Sequence, residues 1–218
     1  KQCGFNLSGC GPCRIPTGMT ESTQPPRQRV ARWRYVVPNA LTCAGMLLGL
    51  TAIFQAVEGH CLEACWLVAL CVLLDKADGT AARLLNATSD IGMQLDSFSD
   101  FVTFGIAPAT VVFMALYQQP VAEFPMWQGA VNSWMLRILV ATYVLCTAIR
   151  LAKFNVLVET GGPKHVFYGL ATTFCGAFVV LAFIVLSTYE AWELLNWLPL
   201  ACGLLALLMV SNFPMPKI

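Results

Sequence analysis

Charge is scarce in this chain. Of its 218 residues only 11% are charged, against 57% that are hydrophobic, and the mean hydropathy is +0.66. A soluble domain of this length needs far more charged surface to cover its core. That excludes an ordinary water-facing globule and leaves lipid as the medium for the excess apolar residues. Cations and acids nearly cancel, to a net charge of +1, so no overall field would draw nucleic acid. Histidine is limited to His60 and His165, which leaves any metal site to other ligands. His60 reads as a surface residue of an outer loop and His165 as the start of a span. No repeat or low-complexity segment is visible beyond the N-terminal tail, and that tail lacks the apolar h-region of a cleavable signal peptide.

Cysteine, by contrast, is plentiful, with ten copies. Seven of them, Cys43, Cys61, Cys65, Cys71, Cys146, Cys175 and Cys202, lie in or beside apolar runs and read as small hydrophobes. Cys3, Cys10 and Cys13 sit in a polar Gly/Pro-rich stretch without a neighbouring histidine, a weak pattern for a metal knuckle. Residues 1–26 read as a disordered tail, with Met19 nearer to an expected natural start. Arg27, Arg29, Arg32 and Arg34, interleaved with Val30, Trp33 and Tyr35, suit a short interfacial helix or a positive flank for the first span.

Residues 27–218 are expected to form one all-α integral membrane domain. Six apolar stretches, near 37–57, 63–85, 92–117, 134–155, 166–187 and 191–212, each approach the roughly 20 residues that a spanning helix needs. With six spans, the cations of the N-terminal segment, of the turn with Lys76 and Arg83, of the turn with Arg150, Lys153 and Lys164, and Lys217 all fall on one side. Arg137 alone falls near the other, together with Glu58, Glu63, Glu123, Glu190 and Glu193. The positive-inside rule then puts both termini in the cytoplasm, in an inner membrane crossed several times. Trp127, Trp134, Trp192 and Trp197 lie near span ends, as interfacial anchors do.

Acids are rare, and yet two of the spans carry aspartates at membrane depth. Asp75 and Asp78 are three apart, and Asp96 and Asp100 four apart, so each pair shares a helix face. A turn through Asn86, Thr88, Ser89 and Asp90 would aim the two pairs at each other. An ionised Asp at the bilayer centre costs roughly 2.5–3.5 kcal/mol. Lys76 and Arg83 cannot balance four carboxylates, so divalent metal is expected to. Clustered oxygen ligands favour hard cations such as Mg²⁺ or Mn²⁺, and a pair of ions roughly 3.5–4 Å apart is a common device for in-line phosphoryl displacement. A carboxylate-lined cation transporter is the rival class, but no inverted repeat mirrors the segment.

The run D-x2-D-G-x2-A-R-x8-G-x3-D-x3-D, from Asp75 to Asp100, resembles the signature of the CDP-alcohol phosphatidyltransferase family at all eight fixed positions. The resemblance implies a six-helix fold and a homodimer. It implies that Asp75, Asp78, Asp96 and Asp100 hold two metal ions at the pyrophosphate of a CDP-lipid, and that Asp100 is the catalytic base that deprotonates the acceptor alcohol. Gly79, Ala82 and Gly92 would shape the cytidine pocket beside Asp78, with Arg83 on phosphate. Other patches resemble bacterial-type phosphatidylserine synthases: Pro38-Asn39-Ala40-Leu41-Thr42, the run from Leu95 to Ala109, Arg150-Leu151-Ala152-Lys153-Phe154-Asn155, and Leu208-Met209-Val210-Ser211. They imply CDP-diacylglycerol and serine as substrates, with glycerol 3-phosphate or inositol as alternative acceptors. Lys153 stands where those enzymes usually show Arg, and Leu170-Ala171 follows Gly169 where they show a proline. Arg150 and Lys153 are placed to hold a serine carboxylate, or else serve as flanking cations. Asn39 and Thr42 are candidates for contact with CDP, with capping and interhelical bonding as the alternative.

Overall fold

The computed structural model describes residues 33–84, 90–118, 127, 129–159, 166–211 and 214–216, all within one compact unit, Ala31–Ile218. The N-terminal tail with its three cysteines, Arg27, Arg29 and Arg32 of the proposed interfacial helix, the turn at 86–89, Lys164, His165 and Lys217 lie outside the described residues, while Arg34 falls in the first turn of the first helix. The described chain is helical apart from one short ribbon. Helices α1 (Trp33–Val57) and α2 (Cys61–Leu84) are followed by α3 (Asp90–Asp100), a π-helical turn (Phe101–Ile106) and α4 (Ala107–Gln118), which continue one another. Helices α5 (Ala130–Glu159), α6 (Thr172–Thr188), α7 (Trp192–Leu195) and α8 (Leu198–Val210) complete the bundle. Four stretches are long and apolar enough to cross a membrane: Val36–Val57, Ile91–Gln118, Val131–Leu157 and Trp192–Val210.

Helices α1 and α2 turn back on each other through Gly59, whose φ of +95° is open to glycine. Their seam is made of small side chains. Ala52, Ala56, Ala64 and Cys65 are all fully buried, so the two backbones approach closely, as they do where lipid offers no hydrophobic drive for association. The Cys71 thiol points at the Gly45 carbonyl 3.5 Å away across this seam. On another face of α1 the π-turn comes so close that a Cβ on Gly49 would run into the Thr103 side chain and stand 3.2 Å from its Cα. Gly49 is thus a contact point for backbone, which any larger residue would force apart.

One apolar stretch departs from the sequence expectation. The fifth apolar stretch, expected at 166–187, is helical only over Thr172–Thr188. Val166–Tyr168 is instead extended and pairs antiparallel with Pro214–Pro216. Gly169, at φ +80°, breaks the run, and a side chain there would collide with the Met209 carbonyl. Ala171 has φ −65° and ψ 135°, with φ at the value to which a proline ring would lock it. The sixth stretch, expected at 191–212, matches the candidate span Trp192–Val210, within which α7 gives way to α8, with Pro199 in the first turn of α8.

Exposure follows the sequence reading of a lipid-facing bundle. Leu47, Phe54, Trp66, Leu73, Ile138 and Leu204 are among many large apolar side chains on the outside. Trp134 and Trp197 are exposed near helix ends, the former under the Arg137 guanidinium at 4.9 Å. Trp127 departs from the expected anchoring role: it is buried, and its indole N–H donates to the Asn196 carbonyl at 2.8 Å. The seven described cysteines are free thiols, and of these only Cys43 is exposed.

Candidate active site

Helix periodicity alone brings Asp75 and Asp78 to one face of α2, and Asp96 and Asp100 to one face of α3. The bundle then turns the two faces together. One carboxylate oxygen from each of Asp75, Asp78 and Asp96 lies within 4.8 Å of the others. Asp100, one turn beyond Asp96, is outside that set but lines the same cavity. This cavity, of about 10 Å³, is walled by Asp75, Asp78, Asp96, Asp100, Ser99 and Thr103, and its volume suits a body no larger than a water or an ion.

Charge balance inside this cluster is poor. The one ion pair among the described residues joins Lys76 to Asp75 at 3.7 Å, and the lysine side chain is 75% exposed, so the pair contributes little. The Arg83 backbone is helical, and its side chain, like that of Ala82, lies outside what is described. Three carboxylates drawn this close would repel unless a cation sat among them. Their chemistry fits one: hard oxygen donors, converging to a span slightly above the ~4.2 Å that separates opposite ligands of a Mg²⁺ with ligands at about 2.1 Å.

The expected site residues divide into those that converge and those that do not. Thr42 is buried, and its hydroxyl donates to Asp78 Oδ2 at 3.0 Å, with the Pro38 carbonyl also 3.0 Å away. That is the interhelical alternative named for it, and it makes Thr42 the partner of a carboxylate. Asn39 is half-buried one turn earlier, and Gly79 and Gly92 are half-buried beside the aspartate pairs. Arg150 on α5 is partly buried; its Nη1 donates to Thr172 Oγ1 at 3.0 Å, and its Nε is buried without a partner. No ion pair joins Arg150 to Asp100 among the described residues. Lys153 is exposed. His60 is exposed too, sharing a hydrogen bond with Gln55 at 3.1 Å.

Several polar residues were missed by the sequence reading. Ser99 is buried between the aspartates, and its hydroxyl donates to the Thr42 carbonyl at 3.3 Å. Ser97 donates to Asn155 Oδ1 at 3.0 Å, which ties α3 to α5. Both serines lie between Asp96 and Asp100 in the run that begins at Leu95, and Asn155 closes the patch that begins at Arg150. The signal was present as polar residues in apolar helices, each of which must find a partner.

Removing the Thr42 hydroxyl while keeping its shape tests its hold on Asp78. Thr42→Val is expected to weaken Mn²⁺ binding by about 10-fold or more, the usual effect of losing an outer partner of a metal ligand. Titration calorimetry on the protein in nanodiscs would measure it. An unchanged affinity would mean that Asp78 needs no such support.

Comparison with known proteins bears on this site. A family model described as CDP-alcohol phosphatidyltransferase matches residues 35–208. A Helicobacter pylori protein named CDP-diacylglycerol–serine O-phosphatidyltransferase is 35% identical over 186 residues, covering 84% of this chain and 73% of its own. A Bacillus subtilis protein of the same name is 35% identical over 183 residues, 83% of this chain and 89% of its own. A Methanothermobacter thermautotrophicus protein named archaetidylserine synthase is 30% identical over 187 residues, 84% of this chain and 70% of its own.

Proposed function

The chain belongs to the CDP-alcohol phosphatidyltransferase family, and from that premise we propose that it transfers a phosphatidyl group from CDP-diacylglycerol to the hydroxyl of serine, giving phosphatidylserine and CMP. The observation that carries the reading is the convergence of Asp75, Asp78 and Asp96 within 4.8 Å, with Asp100 on the wall of the same cavity. The names of the relatives differ in the lipid but share serine, which favours serine over glycerol 3-phosphate or inositol.

Asp75, Asp78 and Asp96 would hold a divalent cation, Mg²⁺ or Mn²⁺, whose charge offsets that of the CDP pyrophosphate. Asp100 takes the proton of the serine hydroxyl onto its carboxylate. The serine oxygen bonds to the lipid-side phosphorus while that atom's bond to the bridging oxygen breaks, and CMP leaves with the electron pair. Thr42 holds Asp78 in orientation. Gly79, Ala82 and Gly92 would shape the cytidine pocket, Arg83 would help neutralise phosphate, and Asn39 would contact the CDP moiety. Arg150, with Nε unpartnered, offers a donor to the serine carboxylate, and Lys153 adds a second cation one turn away. The chemistry needs positioning and charge more than covalent help.

We read α2 and α6 as membrane spans in addition to the four long apolar stretches. Helix α2 has 24 residues and α6 has 17, lengths of about 36 and 25 Å at 1.5 Å per residue. Six spans would place the aspartates toward the cytoplasm. Single cysteines placed at positions 60 and 153 of a cysteine-depleted chain should then be labelled from opposite faces by an impermeant maleimide; labelling from the same face would defeat the six-span reading.

The function is tested by CMP release from CDP-diacylglycerol, with serine, glycerol 3-phosphate and inositol offered in parallel. Release that depends on serine supports the proposal. Release that depends on another alcohol keeps the reaction class and discards serine. Ion flux in proteoliposomes without CMP release would point to a transporter.

A further inference from the structure

The segment that carries Asp96 and Asp100 does not run as one uniform helix. Immediately after Asp100, residues Phe101–Ile106 form a π-helical turn, and the Ala107 N–H bonds to the Val102 carbonyl five residues back. Pro108 supplies a local cause. It offers no N–H to the Phe104 carbonyl four residues earlier, and its ring crowds that oxygen. The displaced carbonyl is taken up from another helix: the Tyr143 hydroxyl of α5 donates to Phe104 O at 2.9 Å. Tyr143 is 1% exposed and Phe104 likewise, so no water can replace this bond.

The turn is gripped on further sides. A Cβ on Gly176 of α6 would lie 2.9 Å from Phe104 Cα. A Cβ on Gly105 would lie 3.0 Å from the Thr147 methyl. Tyr143, Thr147 and Arg150 follow at i, i+4 and i+7 along one face of α5, so the tyrosine that caps the turn shares a helix face with Arg150.

A π-turn adds one residue to a helical turn and shifts the phase of everything beyond it by about 100°. Helix α4 is fixed by burial of Val111, Val112, Ala115 and Leu116. The turn therefore decides which face α3 presents to α2, and so whether Asp96 meets Asp75 and Asp78 or points away. We propose that Tyr143 is a positioning residue for the reaction: by holding the Phe104 carbonyl it maintains the π-turn that aims Asp96 and Asp100 at the α2 aspartates. The inference rests on the reading of these carboxylates as metal ligands and goes beyond it, because Tyr143 is two turns from Arg150 and touches neither substrate nor metal.

The test compares wild type, Tyr143→Phe, Pro108→Ala/Tyr143→Phe and Trp127→Phe in nanodiscs, by Mn²⁺ titration, thermal unfolding and serine-dependent CMP release. Trp127→Phe removes a buried bond to the Asn196 carbonyl, far along the sequence from either aspartate pair, and controls for lost stability alone. Tyr143→Phe should weaken Mn²⁺ binding and lower kcat by about 10- to 100-fold, the range seen when outer supports of a metal site are lost, with KM for serine little changed. In the double variant, the alanine that replaces Pro108 can donate its own N–H to the Phe104 carbonyl. Thermal stability should return while Mn²⁺ affinity stays low, because the turn is free to become α-helical. Trp127→Phe should lose stability and keep its Mn²⁺ affinity. If Tyr143→Phe behaves like Trp127→Phe, or if the double variant regains Mn²⁺ affinity along with stability, the inference is overturned. Wild type that binds no Mn²⁺ would overturn both this and the metal reading; wild type that binds Mn²⁺ and releases CMP, beside an unaffected Tyr143→Phe, would overturn this alone.

Discussion

Asp100→Asn is expected to lower serine-dependent CMP release by about 10²- to 10⁴-fold, the range that a positioned general base contributes. The substitution keeps size and hydrogen-bonding capacity but removes the proton acceptor. Asp100 stands apart from the 4.8 Å cluster of Asp75, Asp78 and Asp96 while sharing its cavity. That separation suits a carboxylate that must reach the acceptor hydroxyl. KM for CDP-diacylglycerol should change far less than kcat, since in the proposed reaction the other three aspartates would still serve the pyrophosphate. Steady-state kinetics of the purified variant decide the matter. Loss confined to KM, with kcat intact, would make Asp100 a binding residue and leave the base unidentified.

Stripping divalent metal is the second large effect expected. EDTA should abolish CMP release, and Mg²⁺ or Mn²⁺ should restore it. An ion at such a site contributes several kcal/mol to transition-state charge stabilisation, which corresponds to a factor of about 10³. Asp78→Asn should resist restoration at metal concentrations that rescue wild type, because it removes the ligand that Thr42 orients at 3.0 Å. Activity that survives exhaustive chelation would mean that the carboxylates balance their charge in another way.

The two aspartate pairs were legible in the sequence because their spacing is local: three and four residues place side chains on one helix face whatever the rest of the chain does. What those pairs face was legible only through the motif as a whole. The partner of Asp78 was not, since Thr42 lies 36 residues away and a threonine in an apolar helix has several possible partners. The corner at Gly169 shows a different limit. Val166, Phe167 and Tyr168 extend an apolar run, and hydropathy cannot tell a spanning helix from a strand when the run is short. The positive φ of Gly169 is a backbone fact without a side-chain signature. Pro108 lies between these cases. Its missing N–H is local and could have marked Phe104 as a carbonyl in need of a donor, but the donor, Tyr143, comes from a helix 39 residues on. Arg150 was noticed for its charge alone; the contact with Thr172 at 3.0 Å depends on how α6 begins after the corner.

In the proposed reaction a serine molecule becomes part of a lipid as CMP is released. The most direct measurement follows carbon-labelled serine into the lipid phase by purified protein supplied with CDP-diacylglycerol and Mn²⁺, with CMP quantified in the same reaction. Labelled phosphatidylserine should form in equal amount to CMP, and neither product should form with Asp100→Asn. CMP formed without label in the lipid would contradict serine transfer, since the phosphatidyl group would then be passing to water or to another acceptor.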